Sequence, residues 1–286
     1  MRIGQYEVHA IDAGRFALDG GAMFGVVPRP LWERTNPPDS RNRIAMATRC
    51  LLVIGHGRKI LVDTGNGAKF SGKLVDIYRM EHIPATFDHA LSRFGLSSSD
   101  ITDVVLTHLH FDHAGGSTVM TSEGLRPAFV NARYYVQRDQ WKAALHPTER
   151  DKASFFEDDY LPLERAGVIE QLDGEGELFP GFSLRLFHGH TTALQSPVIQ
   201  GDGTTAFFCA DLVPLAAHLQ LPWIMGYDLR PLITLEEKRK TLDRAAEEHW
   251  NLILEHDPLI EAVTVKHGAK GIERAEEVHL DGPHDD

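Results

Sequence analysis

The segment Thr107-His108-Leu109-His110-Phe111-Asp112-His113-Ala114-Gly115-Gly116 sets three imidazoles and a carboxylate within six consecutive positions. Packing an apolar core requires no such density. Neutral imidazole and carboxylate are the ligands that divalent zinc and its first-row neighbours accept, and closeness along the chain lowers the entropy of assembling them. In an extended or loosely looped segment His108 and His110 project to one side, while the turn toward Gly115 and Gly116 can swing Asp112 and His113 toward a second ion. One short segment can therefore serve two metals. The chain holds 16 histidines in 286 residues, and at that composition the full run arises by chance on the order of once in a few hundred chains. The metal reading outweighs accident.

The bulk numbers narrow the class of protein. With 42% hydrophobic and 24% charged residues the chain can bury a sizeable core, and a single domain over residues 1–286 is expected. A formal charge of −12 opposes a nucleic-acid or anionic-membrane partner, since either is met by a basic surface. Cys50 and Cys209 each sit inside an apolar run, as buried small hydrophobes and not as a disulfide framework. No secretory signal precedes Tyr6, and no apolar run approaches the roughly 20 residues that span a bilayer. A soluble, cytoplasmic protein is expected.

Alternation suggests an opening strand over 6–11 and a hairpin of strands 49–54 and 60–63 around Gly55-His56-Gly57. The stretch from Asp19 to about Asn42, with Met23-Phe24 and four prolines, is irregular yet too apolar for a linker. Helical spacing runs from Ala85 to Phe94, and the β-branched run Ile101 to Leu106 delivers the histidine motif at a strand's end. Short strands are expected at 128–130 and 134–136, helices at 138–145 and 154–160, and strands at 182–187, 204–210 and 251–255. Thr234-Leu235-Glu236-Glu237 has the pattern of a capping box opening a helix to about Trp250. The remainder reads as a polar, hairpin-like tail. Strands with helices inserted twice over imply an α/β sandwich: two packed mixed β-sheets, flanked by helices, with ligand-bearing loops at one edge.

If the 108–113 run is half of a site, later strand ends must supply the rest. His190 follows the strand Leu184–Phe187, Asp211 follows Phe207-Phe208-Cys209-Ala210, and His256 follows Leu252–Glu255. His and Asp also cap ordinary strand ends, so each alone is ambiguous; together they complete a ligand count. The remaining candidates, His9, His56, His82, His89, His146, His188, His267, His279 and His284, have no such setting.

With these residues in order, the chain resembles the metallo-β-lactamase superfamily, and the resemblance covers nearly its whole length. It implies an αβ/βα sandwich with a dinuclear site at one edge. By that likeness His108, His110 and His190 hold one ion, Asp112, His113 and His256 hold the second, and Asp211 bridges them. The early Asp of the signature maps onto Asp63, orienting the ligand loop through hydrogen bonds. Two divalent ions are implied, zinc first, with manganese, iron or cobalt also compatible with nitrogen and oxygen ligands. Two such ions ionise a shared water and polarise a carbonyl, so hydrolysis is the expected output. No dinucleotide fingerprint or P-loop points to an organic cofactor.

Substrate is sought in finer features. His190-Thr191-Thr192-Ala193-Leu194-Gln195-Ser196 lacks the second His of glyoxalase II-like thioesterases, and Gln195-Ser196 resemble the N-acyl homoserine lactonase branch. Segments 19–28, 211–214 and 221–225 are similar to that branch and to its methyl parathion hydrolase relatives. Several lactonases place a substrate-binding Tyr three residues after the bridging Asp, where this chain has Pro214; His218 or Tyr227 are the candidate replacements. Asp112 is the candidate to orient the nucleophile and move a proton to the leaving group. The expected substrate is a neutral, amphiphilic lactone or ester, with Met23, Phe24, Trp223, Ile224 and Met225 lining an acyl pocket. An organophosphate triester or aryl ester hydrolase is the alternative enzyme, and a non-catalytic metal-binding sensor or interaction module is the alternative of another class. The apolar N-terminal stretch is compatible with a homodimer.

Overall fold

The computed structural model describes residues 1–81, 86–269 and 271–280. Among them two seven-stranded mixed sheets stack face to face. The first joins β1 (Arg2–Ile3), β2 (Tyr6–Asp19), β3 (Arg43–Gly55), β4 (Arg58–Val62) and β5 (Asp103–Val105). After a separate hairpin of β6 (Thr118–Thr121) and β7 (Gly124–Pro127), this sheet is completed by β8 (Arg133–Gln137) and β9 (Ile169–Leu172). The second runs in chain order through β10 (Gly176–Phe179), β11 (Phe182–Phe187), β12 (Leu194–Gly201), β13 (Thr204–Phe208), β14 (Asn251–Ile253), β15 (Ala262–Gly268) and β16 (Gly271–Val278).

Period-two alternation explains why the central strands look apolar throughout. Leu51, Val53, Ile60 and Val62 turn inward to the core between the sheets. Their neighbours Cys50, Leu52 and Leu61 turn outward beneath Leu91, Trp141, Tyr160 and Leu163 of the covering helices. Strands buried on both faces read as continuous apolar runs. Both cysteines are buried and free. Gln195 stitches the sheets at the edge nearest the histidine motif: its side-chain amide donates to Leu106 O at 2.8 Å and Tyr135 O at 3.0 Å and accepts from Gln137 at 2.8 Å. The residue that suggested a lactonase branch thus does structural work here. No helix among the described residues is long and apolar enough to cross a membrane.

Several expectations are corrected. The opening strand is 14 residues long and pairs with β3 through a register shift between Asp12 and Arg15. Gly14 has φ +125° there, and such a bulge interrupts the alternation that a sequence scan follows. The 19–42 stretch contains the short helices Gly20–Phe24 and Arg29–Trp32 and builds a third core, in which Met23, Phe24 and Trp32 meet Trp223 and Met225. The predicted strand at 128–130 is absent, and the hairpin β6–β7 precedes it. The helix predicted at 85–94 is confined to Asp88–Ser92, with Ala85, like His82 and His284, outside the described residues. The helix predicted at 154–160 runs from Glu157 to Arg165. The last long helix spans Pro231–Glu247, with proline in its first turn and no side-chain cap. The supposed capping box is therefore internal to it, and Glu237 serves another segment. The polar tail is no appendage, since β15 and β16 complete the second sheet.

Candidate metal centre

The ligand loop leaves the end of β5 and is steered by Asp63 at the end of β4. The buried Asp63 carboxylate accepts from Thr107 N at 2.7 Å, from Thr107 Oγ1 at 2.6 Å and from His113 Nδ1 at 3.0 Å. Asp63 is held at φ +56°, a left-handed conformation that is strained for a residue with a side chain and is retained where the surroundings enforce it. One helical turn, Phe111–Ala114, then carries both Asp112 and His113. Gly115 and Gly116 pass directly against the carbonyls of Asn66 and Thr64, where a Cβ on either would overlap backbone.

Two groups of ligating atoms converge at this sheet edge. In the first, His110 Nδ1 lies 3.0 Å from His108 Nε2 and 3.2 Å from His190 Nε2, and His190 Nε2 is 3.0 Å from Asp211 Oδ2. In the second, His113 Nε2 lies 3.1 Å from His256 Nε2, with the Asp112 carboxylate 3.8–3.9 Å from both rings. Asp211 stands between them, its other oxygen 3.1 Å from His256 Nε2. All seven side chains predicted from the sequence thus meet, every one of them buried.

The arrangement fits a cation. Ring nitrogens facing one another at such distances oppose lone pairs unless a proton or a metal lies between, and the side chains that carry them are buried. Burial holds His108 and His110 well below the usual imidazole range, and their cationic neighbours push the same way. Burial opposes charge on His190 too, but the carboxylates of Asp211 and Asp228 outweigh it and raise this ring to about 10. His256 is raised to about 9 in the same manner, burial being overcome chiefly by Asp211. Asp211, although buried, is driven far below the usual carboxylate range by His190, His113 and His256. An anion ringed by imidazoles that compete for too few protons is the electrostatic pattern of a metal-binding site.

Outer contacts fix the rings. His190 Nδ1 donates to Asp228 at 2.8 Å, and His256 Nδ1 donates to Ala47 O at 2.9 Å. The Ala47 and Arg49 amides in turn donate to the carbonyls of His256 and Glu255, each at 3.0 Å. Glu255 was not anticipated from the sequence. One of its oxygens lies 3.1 Å from His113 Nδ1 without hydrogen-bond geometry, and burial raises its carboxyl to about 8. The available signal was a glutamate ending an apolar strand directly before His256. Asp228, from an irregular loop, offered none.

A cavity opens over the ligands, walled by Leu18, Met23, Met46, Tyr78, Phe111, Met225 and Tyr227 around Asp112, His110, His190, Asp211 and His256. Tyr227 thus reaches the cavity. His218 lies behind the wall, its ring stacked on Phe24 at 4.9 Å and its Nε2 donating to Met23 O at 2.9 Å. Of the expected acyl-pocket residues, Met23 and Met225 line the cavity, whereas Phe24 and Trp223 are core behind it. Across Met225, Gly226 and Arg150 the cavity adjoins an outer apolar groove formed by Val26, Leu221, Ile224, Leu229 and Leu232. His188 lies outside the cluster, accepting a hydrogen bond from Ala193 N at 3.3 Å.

The Metallo-beta-lactamase superfamily profile matches residues 44–256, which run from β3 to the last histidine of the cluster. The chain belongs to the metallo-β-lactamase superfamily. As a superfamily member it is a metal-dependent hydrolase. It is 31% identical over 204 residues to an N-acyl homoserine lactonase of Bacillus thuringiensis, covering 68% of this chain and 70% of that protein. A probable metal-dependent hydrolase from Staphylococcus aureus superimposes with a TM-score of 0.87 at 27% identity, over 97% of this chain and 100% of that one. AidC, a dizinc quorum-quenching lactonase solved with a product N-hexanoyl-L-homoserine, shares the fold at a TM-score of 0.80 and 21% identity, over 97% and 96% of the two chains.

Proposed function

We propose that this superfamily member is a dinuclear lactonase that opens N-acyl homoserine lactones or related neutral, amphiphilic lactones. The observation that carries the reading is the pair of ligand groups, with Asp211 reaching from the first to His256 of the second, beside a cavity whose wall combines Met, Leu, Phe and Tyr with Arg150, Asp151 and Ser154. The lactonase relatives support it. His108, His110 and His190 would hold one ion, Asp112, His113 and His256 the other, and Asp211 both; nitrogen and oxygen ligands favour zinc. When bound, such ions polarise an ester carbonyl and make water nucleophilic at neutral pH.

The chain's own groups do the rest. Asp112, on the cavity wall, accepts a proton from the attacking water and returns one to the ring oxygen as its bond to the carbonyl carbon breaks. Tyr227 replaces the donor that Pro214 lacks, since it lines the same cavity as Asp112 and Tyr78. An aliphatic tail follows Met225 into the outer groove.

Ring opening followed by pH-stat tests the reading. Turnover of N-acyl homoserine lactones should disappear on chelation and return with added zinc, and kcat/KM should exceed that for a paraoxon-type triester. A large excess on the triester, or no metal-dependent ring opening at any acyl length, refutes it. The groove makes a separate prediction. Leu232, 79% exposed at its rim, changed to Asp should lower kcat/KM about tenfold for a long acyl tail, with a butanoyl substrate unaffected. Equal losses on both would exclude the groove.

A further inference from the structure

The seven ligand side chains are not supported alike. His108, His110, Asp112 and His113 follow directly from β5 in a loop pinned by Asp63, and His256 is fastened through backbone to β3. His190 stands at the tip of an irregular loop between β11 and β12. That loop is steadied on one side by Gln140, whose amide donates to Thr192 O at 2.6 Å, and on the other by the helix Pro231–Glu247 and the segment leading into it. Leu229 N donates to His190 O at 3.0 Å and Arg230 N to Gly189 O at 2.8 Å. The Glu237 carboxylate, in the second turn of the helix, accepts from His188 N at 2.7 Å and Gly189 N at 3.0 Å. A Cβ at Gly189 would overlap Thr234, so the loop lies flush on the helix. Asp228, buried, accepts from His190 Nδ1 and leaves Nε2 facing Asp211. The strand of chain before Asp228 is anchored in turn, because the buried Lys238 ammonium donates to Gln220 O at 3.0 Å and Trp223 O at 2.6 Å.

We propose that residues 228–238 form a clamp which sets the metal affinity of the His190 side of the centre, with Asp228 and Glu237 as its positioning residues. Asp228 fixes the tautomer and aim of the ring, and Glu237 fixes the backbone from which the ring projects. Neither faces the reacting atoms. An imidazole free to rotate or to ligate with the wrong tautomer binds metal more weakly, and loss of such outer contacts typically costs about 10–100-fold in affinity. The clamp bears on the ion held with His108 and His110, and leaves the one held with Asp112 and His113 untouched.

This inference rests on the proposed two-ion site but not on the identity of the substrate, so it is tested by metal binding. Apo-protein is titrated with zinc against a chromogenic chelator, and His190→Ala and His113→Ala assign the two binding steps. Asp228→Ala and Glu237→Ala should each weaken, by about tenfold or more, the same step that His190→Ala abolishes, with the His113 step within twofold of wild type. Asp228→Asn, which keeps an acceptor for Nδ1–H, should recover most of the loss. Far-UV dichroism and the Tm of the apo-proteins separate misfolding from misplacement. The clamp is refuted if both alanine variants keep the His190 step at wild-type affinity, or if both steps weaken together in folded protein. Failure of the two-ion reading appears separately, as a wild-type protein without the two assigned steps.

Discussion

Asp112→Ala is expected to lower kcat on lactones by on the order of 10²–10⁴-fold, the usual worth of a positioned proton-transfer group. Asp112 is 7% exposed and lines the same cavity as Tyr78 and Tyr227, its carboxylate 3.8–3.9 Å from the rings of His113 and His256. In the proposed mechanism it would serve both the nucleophile and the second ion. Truncation should therefore act mainly on kcat, with metal content falling toward one equivalent by elemental analysis. Secondary structure should persist, because the turn Phe111–Ala114 is held by backbone bonds and by the Asp63 contacts to Thr107 and His113. Near-wild-type turnover at saturating substrate would remove Asp112 from the mechanism.

Gly115→Ala is the second large effect, and intrinsic preference points the wrong way for it. Gly115 has φ −58° and ψ −35°, a right-handed helical conformation in which alanine would ordinarily stabilise by up to about 1 kcal/mol. Here the added methyl would overlap the carbonyl of Asn66, which is backbone and cannot swing aside. The loop must move, and overpacking of this kind costs about 2–3 kcal/mol, lowering Tm by about 5 °C in a chain of this size. The displaced loop carries Asp112 and His113, so metal retention should fall together with stability. A calorimetric Tm at or above wild type, with full metal content, would show that the close approach of the two loops is dispensable.

The candidate ligands were legible because they are written densely or at the ends of apolar strands. The run 108–113 needed only local spacing, and His190, Asp211 and His256 each terminate a run whose alternation or continuity marks it as strand. The sandwich was legible for the same reason. What escaped detection depends on partners far apart in sequence. Glu255 and Asp228 matter through the rings they touch, His113 and His190, 142 and 38 positions away. Tyr78 enters the cavity from a segment with no strand or ligand signal. Glu237 resembled a capping residue of its own helix but caps the amides of His188 and Gly189 instead.

By itself the sequence determined the residues that cluster at the candidate centre, the two-layer class and the apolar strands between which the core forms, since those follow from side-chain chemistry and periodicities of a few residues. Only the tertiary structure decided which outer groups aim the ligands, that Tyr227 faces the cavity while His218 is packed behind Phe24, and that Gly115 tolerates no side chain. These outcomes are set by the approach of surfaces distant along the chain, and no local pattern encodes where a remote carbonyl or carboxylate will lie.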